Sequence, residues 1–237
     1  MKASICIATH DKPEPLRRVL DSIYIQQPPF AFEVIVVDDG PSTVATAEVC
    51  RGYEWVHYIR RRWDNEYRNP APARNAAYRR ARGEIIICQS DDVVHRGEAI
   101  EQLVEEMAPG RFVLATVLNT DEMLRPKGCG HPRNPGLVEL CGPKGRRPLF
   151  FLGAVYRSDL YAVGGNDERF IAPGREDVWF VDCLTKGRGL EPFFGSARGC
   201  HLHHERPPVE AFAPSHDVYR SVVVQGVWHT PSAPWPV

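Results

Sequence analysis

No stretch of this sequence approaches the roughly 20 consecutive apolar residues that a helix needs to cross a bilayer. The opening residues, Met1-Lys2-Ala3-Ser4-Ile5-Cys6, pass directly into a strand-like segment, so a soluble, unsecreted, cytoplasmic protein is expected. Neither charge is in excess. The 29 lysines and arginines balance 30 aspartates and glutamates, which removes the global field that draws a chain to nucleic acid or an anionic membrane. No stable nucleic-acid partner is expected, and Arg60-Arg61-Arg62 reads as a local surface patch rather than a phosphate clamp. Paired CxxC spacing is also missing. The seven cysteines (Cys6, Cys50, Cys88, Cys129, Cys141, Cys183, Cys200) are odd in number and scattered, which fits reduced thiols packed as small apolar residues. Cys129 with His131 and Cys141, or Cys200 with His201, lacks the spacing of structural zinc. A GxGxxG turn after the first strand, which a dehydrogenase would need, is absent, as is the glycine-rich phosphate loop of a nucleotidyltransferase.

What is present is an ordinary globular composition, 43% hydrophobic and 25% charged, arranged in a strand–helix rhythm that predicts an α/β domain on a mainly parallel sheet. Ser4 to Thr9 reads as a buried strand. Pro13 opens a helix whose Leu16, Val19, Leu20 and Ile23 repeat at helical spacing. Strands follow at Glu33–Val37, Val56–Ile59 and Glu84–Cys88, with a helix over 71–81. After a helix near 98–107 and a strand near 112–118, residues 119–148 lose apolar patterning and read as a partly mobile, acceptor-side loop. Order resumes at 150–156, at a helix running from Glu176-Asp177 to Lys186-Gly187, and at a helix over 215–225. A single domain over 1–237 is expected, with a nucleotide-binding half (1–118), an acceptor half (119–200) and a tail (201–237).

Acidic pairs stand where apolar strands stop, at Asp38-Asp39 and Asp91-Asp92, and a third pair, Glu176-Asp177, stands at a helix start. One such pair is commonly a turn or cap. Three imply a shared cleft, because side chains at the carboxyl ends of parallel strands line the crevice where ligands bind. Hard carboxylate oxygens there suit Mg²⁺ or Mn²⁺ on a substrate's phosphates. Breaking a sugar–diphosphate bond needs such a cation for the leaving group and a base for the attacking hydroxyl. Asp177 is the candidate base, although a carboxylate at a helix N-terminus is also stabilised there as a plain charge.

The motifs Ser4-Ile5-Cys6-Ile7-Ala8-Thr9, Val36-Val37-Asp38-Asp39-Gly40, Ala73-Arg74-Asn75-Ala76-Ala77 and Ser90-Asp91-Asp92, in that order, resemble the nucleotide-binding half of family 2 glycosyltransferases, which have the GT-A fold. Gly164-Gly165-Asn166-Asp167-Glu168-Arg169-Phe170 and Gly174-Arg175-Glu176-Asp177 are similar to the family's glycine–glycine–Asp-Glu segment and its Glu-Asp motif. The resemblance covers residues 3 to 187. It implies an inverting, metal-dependent transfer of a hexosyl or N-acetylhexosaminyl group from a nucleotide sugar, most commonly a UDP-sugar, to a carbohydrate or glycolipid acceptor. Carried over by position, Thr9 and Asp39 contact the nucleotide, Arg74 approaches the base or phosphates, Asp91 binds the metal with Asp92 beside it, Asp177 is the base and Glu176 positions the acceptor or tunes its neighbour.

Two departures stand out. Gln89 occupies the first acidic position of the family's Asp-x-Asp-Asp, which leaves fewer carboxylates for a cation and opens the alternative of a nucleotide-sugar-binding or inactive relative. Asn166 replaces an aromatic after Gly-Gly. Metal-dependent members of the fold often place a histidine ligand downstream of the base, and His201 and His204 are the best-spaced candidates, with His203 between them. Trp63, Tyr67 and Trp179 could stack on a sugar or base, but Trp179 shares a helix with Phe180 and Val181 and reads as core.

Overall fold

β-branched residues fit a pleated surface buried on both faces, and the runs read as strands form one side of a single sheet. β1 (Ala3–Thr9), β2 (Phe32–Asp38), β3 (Val56–Arg60) and β4 (Ile85–Ser90) lie side by side in the order β3-β2-β1-β4, all parallel. The computed structural model describes residues 1–41, 44–62, 68–128, 136, 138–144, 148–204 and 207–236. Trp63, Tyr67, Cys129 and His131 lie outside these. Register pairs Thr9 with Asp38 and Ala8 with Ser90, so the carboxyl ends of three neighbouring strands are level. All seven residues of β1 are buried.

Helices cover this half. Pro13, whose missing N–H costs nothing in a first turn, begins α1 (Pro13–Tyr24), and the expected stripe Leu16, Val19, Leu20 and Ile23 is buried. Truncating one of these to alanine would cost about 2–5 kcal/mol. α2 (Val44–Arg51) and α3 (Ala71–Arg80) complete the crossovers.

The second half widens the sheet with antiparallel and parallel additions. β5 (Val93–Arg96) turns back from β4, and α4 (Ala99–Glu105) leads into β6 (Arg111–Asn119). β7 (Glu139–Cys141) pairs with β6, and β8 (Leu152–Tyr156) fits antiparallel between β4 and β6. α5 (Arg157–Val163) and α6 (Glu176–Asp182) follow, the latter running on as a π-helical turn, Cys183–Gly187. β9 (Glu191–His201) then inserts parallel to β6 and antiparallel to β5, and α7 (Ala213–Gln225) packs near the end. β9 is unanticipated: Pro192, Gly195 and Gly199 depress its strand propensity, and it breaks register with β6 between Leu114 and Thr116.

The Gly164-Gly165 pair has a concrete cause. Both residues have left-handed φ, 78° and 68°, and a Cβ on Gly165 would strike the Trp235 ring and the Asn75 side chain. Asn75 in turn accepts the Asn166 N–H and donates to the Asn166 carbonyl, each at 2.8 Å, which ties α3 to the segment before α6. Trp179 is fully buried, as its helix pattern implies. Cys6, Cys50, Cys88, Cys183 and Cys200 are buried thiols. No described helix is long and apolar enough to cross a membrane.

Candidate nucleotide and cation site

The level strand ends build the first part of the site. Asp38 closes its own turn: Oδ1 accepts the Gly40 N–H at 2.9 Å and Oδ2 accepts the Tyr58 hydroxyl at 3.1 Å. Gly40 is needed because a Cβ there would come within 2.7 Å of the Asp11 nitrogen. Asp39, fully buried, points elsewhere. Its Oδ1 pairs with His10 Nδ1 at 3.1 Å and accepts from Arg68 Nε at 3.0 Å. Its Oδ2 is buried without a hydrogen-bond partner among the described residues, as are Thr9 Oγ1 and Arg68 Nη2. Buried polar groups are nearly always satisfied, so orphaned atoms on three linked or adjoining residues make this a candidate place for a polar ligand. Thr9 and Asp39 were expected there. Arg68 and His10 were not, and nothing in the local sequence pattern singles them out.

Arg74, expected at the base or phosphates, instead directs Nη1 at Glu176 Oε1, 3.7 Å away. The guanidinium that meets Asp39 is that of Arg68. Asn69, the next residue, donates to the Ala172 carbonyl at 2.7 Å and to Glu176 Oε2 at 3.4 Å. The Arg68-Asn69 pair thereby connects Asp39 to the acidic start of α6. Gly174 and Arg175, with φ of 82° and 71°, turn the chain into that helix. Glu176 is buried. Burial, reinforced by the neighbouring Asp177 charge and opposed by Arg74 and by hydrogen bonds, pushes its carboxyl up to about 7. Asp177 is half-buried, and its Oδ1 accepts the Val178 N–H at 2.7 Å.

The second part of the site brings a strand end and the far end of the chain together. Val93 pairs with His201 across β5 and β9, and the Leu202 N–H donates to the Asp92 carbonyl at 2.8 Å. Asp92, His201 and His204 offer ligand atoms that all lie within 4.8 Å of one another. Asp92 Oδ1 is 3.7 Å from His201 Nε2, and Asp92 Oδ2 is 3.3 Å from His204 Nε2. The two histidines are the expected ones. The carboxylate that meets them is Asp92, not Asp91, which had been expected as the ligand. Asp91 stands beside it with Oδ2 buried and unpartnered among the described residues, and both aspartates face Lys12 Nζ, at 3.5 and 2.8 Å. Burial disfavours the Asp92 anion, but the His204 hydrogen bond and the Lys12 and His201 charges outweigh it and hold its carboxyl well below the usual range.

The hydrogen bonding of His201 shows that the group fits a cation. Asn119 Nδ2 donates to the Lys127 and Gly128 carbonyls at 3.0 and 3.2 Å, so its Oδ1 is the atom 3.2 Å from His201 Nδ1. That oxygen only accepts, so Nδ1 carries a proton. In the neutral ring the Nε2 lone pair therefore faces the Asp92 carboxylate, a juxtaposition that a cation relieves and that orients imidazole as a ligand. Gln89, at the position of the family's missing acid, has its carboxamide engaged by His95 and the Val93 carbonyl at 2.6 and 2.7 Å. A recess of about 330 Å³ lies beside that network, lined by Gln26, His95, Glu98 and Glu101 and by none of the residues placed in this site.

A parallel nucleotide-side sheet joined to a mixed second half, with acidic residues and histidines at the strand ends, is the architecture of the GT-A glycosyltransferases. Two solved structures share the fold. The mannosyltransferase PcManGT from Pyrobaculum calidifontis, in complex with GDP-Man and Mn²⁺, aligns with a TM-score of 0.61 and 18% identity over 95% of this chain and 62% of its own. GalNAc-T7 with UDP, GalNAc and Mn²⁺ aligns with a TM-score of 0.68 and 19% identity over 94% of this chain and 48% of its own. The chain thus spans about three fifths of the first and half of the second. A comparison with curated protein sequences finds no match. The sequence profile of glycosyl transferase family 2 matches residues 4–153, more than half of the chain, and the chain belongs to that family.

Proposed function

We propose that this protein transfers a sugar from a nucleoside-diphosphate sugar to an acceptor hydroxyl, with inversion and with Mn²⁺ or Mg²⁺ held by Asp92, His201 and His204. The observation that carries the reading is the presence, at the level ends of neighbouring strands, of buried polar atoms without partners among the described residues and of a carboxylate–histidine cluster. Thr9 Oγ1, Asp39 Oδ2 and Arg68 Nη2 supply both donors and an acceptor, which suits the edge of a base; a UDP donor is the first choice and GDP the second. A divalent cation at the cluster would neutralise the charge that develops on the departing diphosphate. Asp91 adds negative charge beside that ligand set.

Asp177 acts as the base. As the acceptor oxygen bonds to the anomeric carbon, its proton passes to the Asp177 carboxylate and the bond from that carbon to the diphosphate oxygen breaks on the opposite face. Glu176, buried against Arg74 and Asn69, fixes the start of α6 and so the position of its neighbour. The acceptor, a carbohydrate or glycolipid hydroxyl, approaches from the side of residues 119–148. A cytoplasmic location belongs to this reading. The alternative, a nucleotide-sugar-binding or inactive relative motivated by Gln89, predicts donor binding without release of nucleoside diphosphate.

The test is release of free nucleoside diphosphate from a panel of nucleotide sugars with Mn²⁺ and mixed saccharide or glycolipid acceptors. Asp177→Asn should abolish transfer while keeping donor binding, and Asp92→Ala should lose both cation binding and transfer. Turnover at the wild-type rate by either variant would overturn the assignment.

A further inference from the structure

We propose that the Lys12 ammonium is a resident counter-cation of the Asp91–Asp92 pair, displaced when a divalent ion binds and then taken up by the donor's diphosphate. This rests on the cation site proposed above and adds to it a residue that controls access. Lys12 Nζ lies 2.8 Å from Asp92 Oδ2, and His204 Nε2 lies 3.3 Å from the same oxygen. An ion bridging Asp92 and His204 would therefore contest that oxygen with the ammonium. Asp91 Oδ1, at 3.5 Å, completes the pair that Lys12 holds together.

The placement of Lys12 is not explained by the helix it precedes. It occupies the N-cap of α1 and makes no capping hydrogen bond with its side chain. A cation at the positive end of a helix dipole is unfavourable, and the residues that cap well are serine, threonine, aspartate and asparagine. The preceding Asp11 adopts a left-handed φ of 55°, so the chain departs from ordinary geometry to set Lys12 at the strand ends. Aspartate tolerates that conformation better than most residues, and the contacts that the Lys12 side chain makes are with the two aspartates. A lysine suits the task, because its ammonium is a compact charge on a flexible stem and its side chain is still 29% exposed, which leaves it a path outward.

Two consequences follow from like-charge competition and from linkage. Mn²⁺ alone binds weakly to the wild type, because Lys12 must leave two carboxylates without a new anion to receive it. A nucleoside diphosphate provides that anion, so it strengthens Mn²⁺ binding, and the ion strengthens nucleotide binding by the same factor. Removing the ammonium uncouples the two.

The experiment measures Mn²⁺ affinity, by the free-ion electron paramagnetic resonance signal, for the wild type and Lys12→Met, each with and without UDP and, in a parallel arm, GDP. Lys12→Met should bind Mn²⁺ alone roughly tenfold more tightly than the wild type and lose most of the nucleotide's enhancement. Equal or weaker Mn²⁺ binding by Lys12→Met, with clear binding by the wild type, overturns the role of Lys12 and leaves the cation site standing. Binding by neither protein overturns the cation site and this proposal with it. A measurement on the wild type covers the case in which Lys12→Met does not fold: reductive methylation followed by peptide mass spectrometry. Mn²⁺ should raise the labelling rate of Lys12 severalfold and leave Lys2, paired with Glu84, unchanged. Labelling of Lys12 that is indifferent to Mn²⁺ refutes the proposal.

Discussion

Gln89 holds His95 in one tautomer. Gln89 Nε2 donates to the Val93 carbonyl, so Oε1 must accept the His95 Nε2–H at 2.6 Å, and His95 Nδ1 is left to accept from Gln26 Nε2 at 2.5 Å. Gln26 Oε1 accepts the Ile100 N–H at 2.9 Å, which closes the chain. Burial lowers the His95 pKa to about 3, so the ring stays neutral and the network stays matched, donor to acceptor, from α4 to β4. The family's acid at this position would not fit it, because a carboxylate cannot donate to Val93.

Gln89→Glu is accordingly expected to lose about 1–3 kcal/mol of stability, the usual consequence of leaving a buried acceptor unmatched, and to gain nothing in cation affinity. Urea denaturation and a Mn²⁺ titration of the same variant check both. Tighter Mn²⁺ binding without a stability loss would mean that residue 89 faces the ion.

Asn119 orients the His201 ring, and in the proposed cation site that orientation reaches the ion. Asn119→Ala removes the acceptor that fixes the ring and should weaken Mn²⁺ binding by about 10–100-fold, the range found when a ligand histidine loses its orienting partner. Calorimetric titration with Mn²⁺ gives the answer, and an affinity within twofold of the wild type would dismiss the orienting role.

Arg68 is expected to matter to the nucleotide and Arg74 to the start of α6. Arg68→Ala should reduce stabilisation by UDP or GDP in thermal-shift assays, with a loss of roughly tenfold or more in affinity, since hydrogen bonds to charged groups are worth about 1.5–3 kcal/mol. Arg74→Ala should leave nucleotide binding closer to normal and lower stability. The reverse pattern would restore the sequence-based assignment of Arg74 to the donor.

Glu176 makes stability depend on pH with a definite sign. Its carboxyl rises from 4.5 to about 7 on folding, first through burial. Between those values the unfolded chain has released the proton and the folded chain has kept it, so stability from this group is full below about 4.5 and declines as pH rises to about 7. The gap corresponds to about 3 kcal/mol. Glu176→Gln should flatten this part of the curve, measured as the difference in unfolding free energy between pH 5 and pH 8. Identical pH dependence in wild type and variant would show that Glu176 ionises normally.

The parallel half of the fold was readable because β-branched runs of five to seven residues leave few other options: Glu33–Val37 became β2 with one added residue at each end. β9 was not readable, since its proline and glycines are tolerated only through pairing with β6 and β5, a long-range contact. The same limit shaped the site. Thr9 and Asp39 stand at the strand ends where the resemblance put them, and His201 and His204 stand together as their spacing suggested. That Asp92 is the carboxylate beside the histidines was not readable, because adjacent residues differ only in where the chain points them. Arg68 precedes α3 in a stretch with no periodicity, and its role exists only through Asp39, far away in the sequence. Gln89 reads in the sequence as a departure from a metal motif, and its partners, His95 and Val93, are visible only in the fold.

Among the described residues β5 has its ladder partner in β9, and β9 carries His201 at its end. A nascent chain leaving the ribosome would thus display Thr9, Asp39 and Asp92 long before the histidines emerge. Insertion of β9 completes the sheet and brings His201 beside Asp92, and such non-local pairing is slow. A chain stopped short of residue 191 would carry the level ends of β1, β2 and β4 without β9 and without either histidine of the cluster.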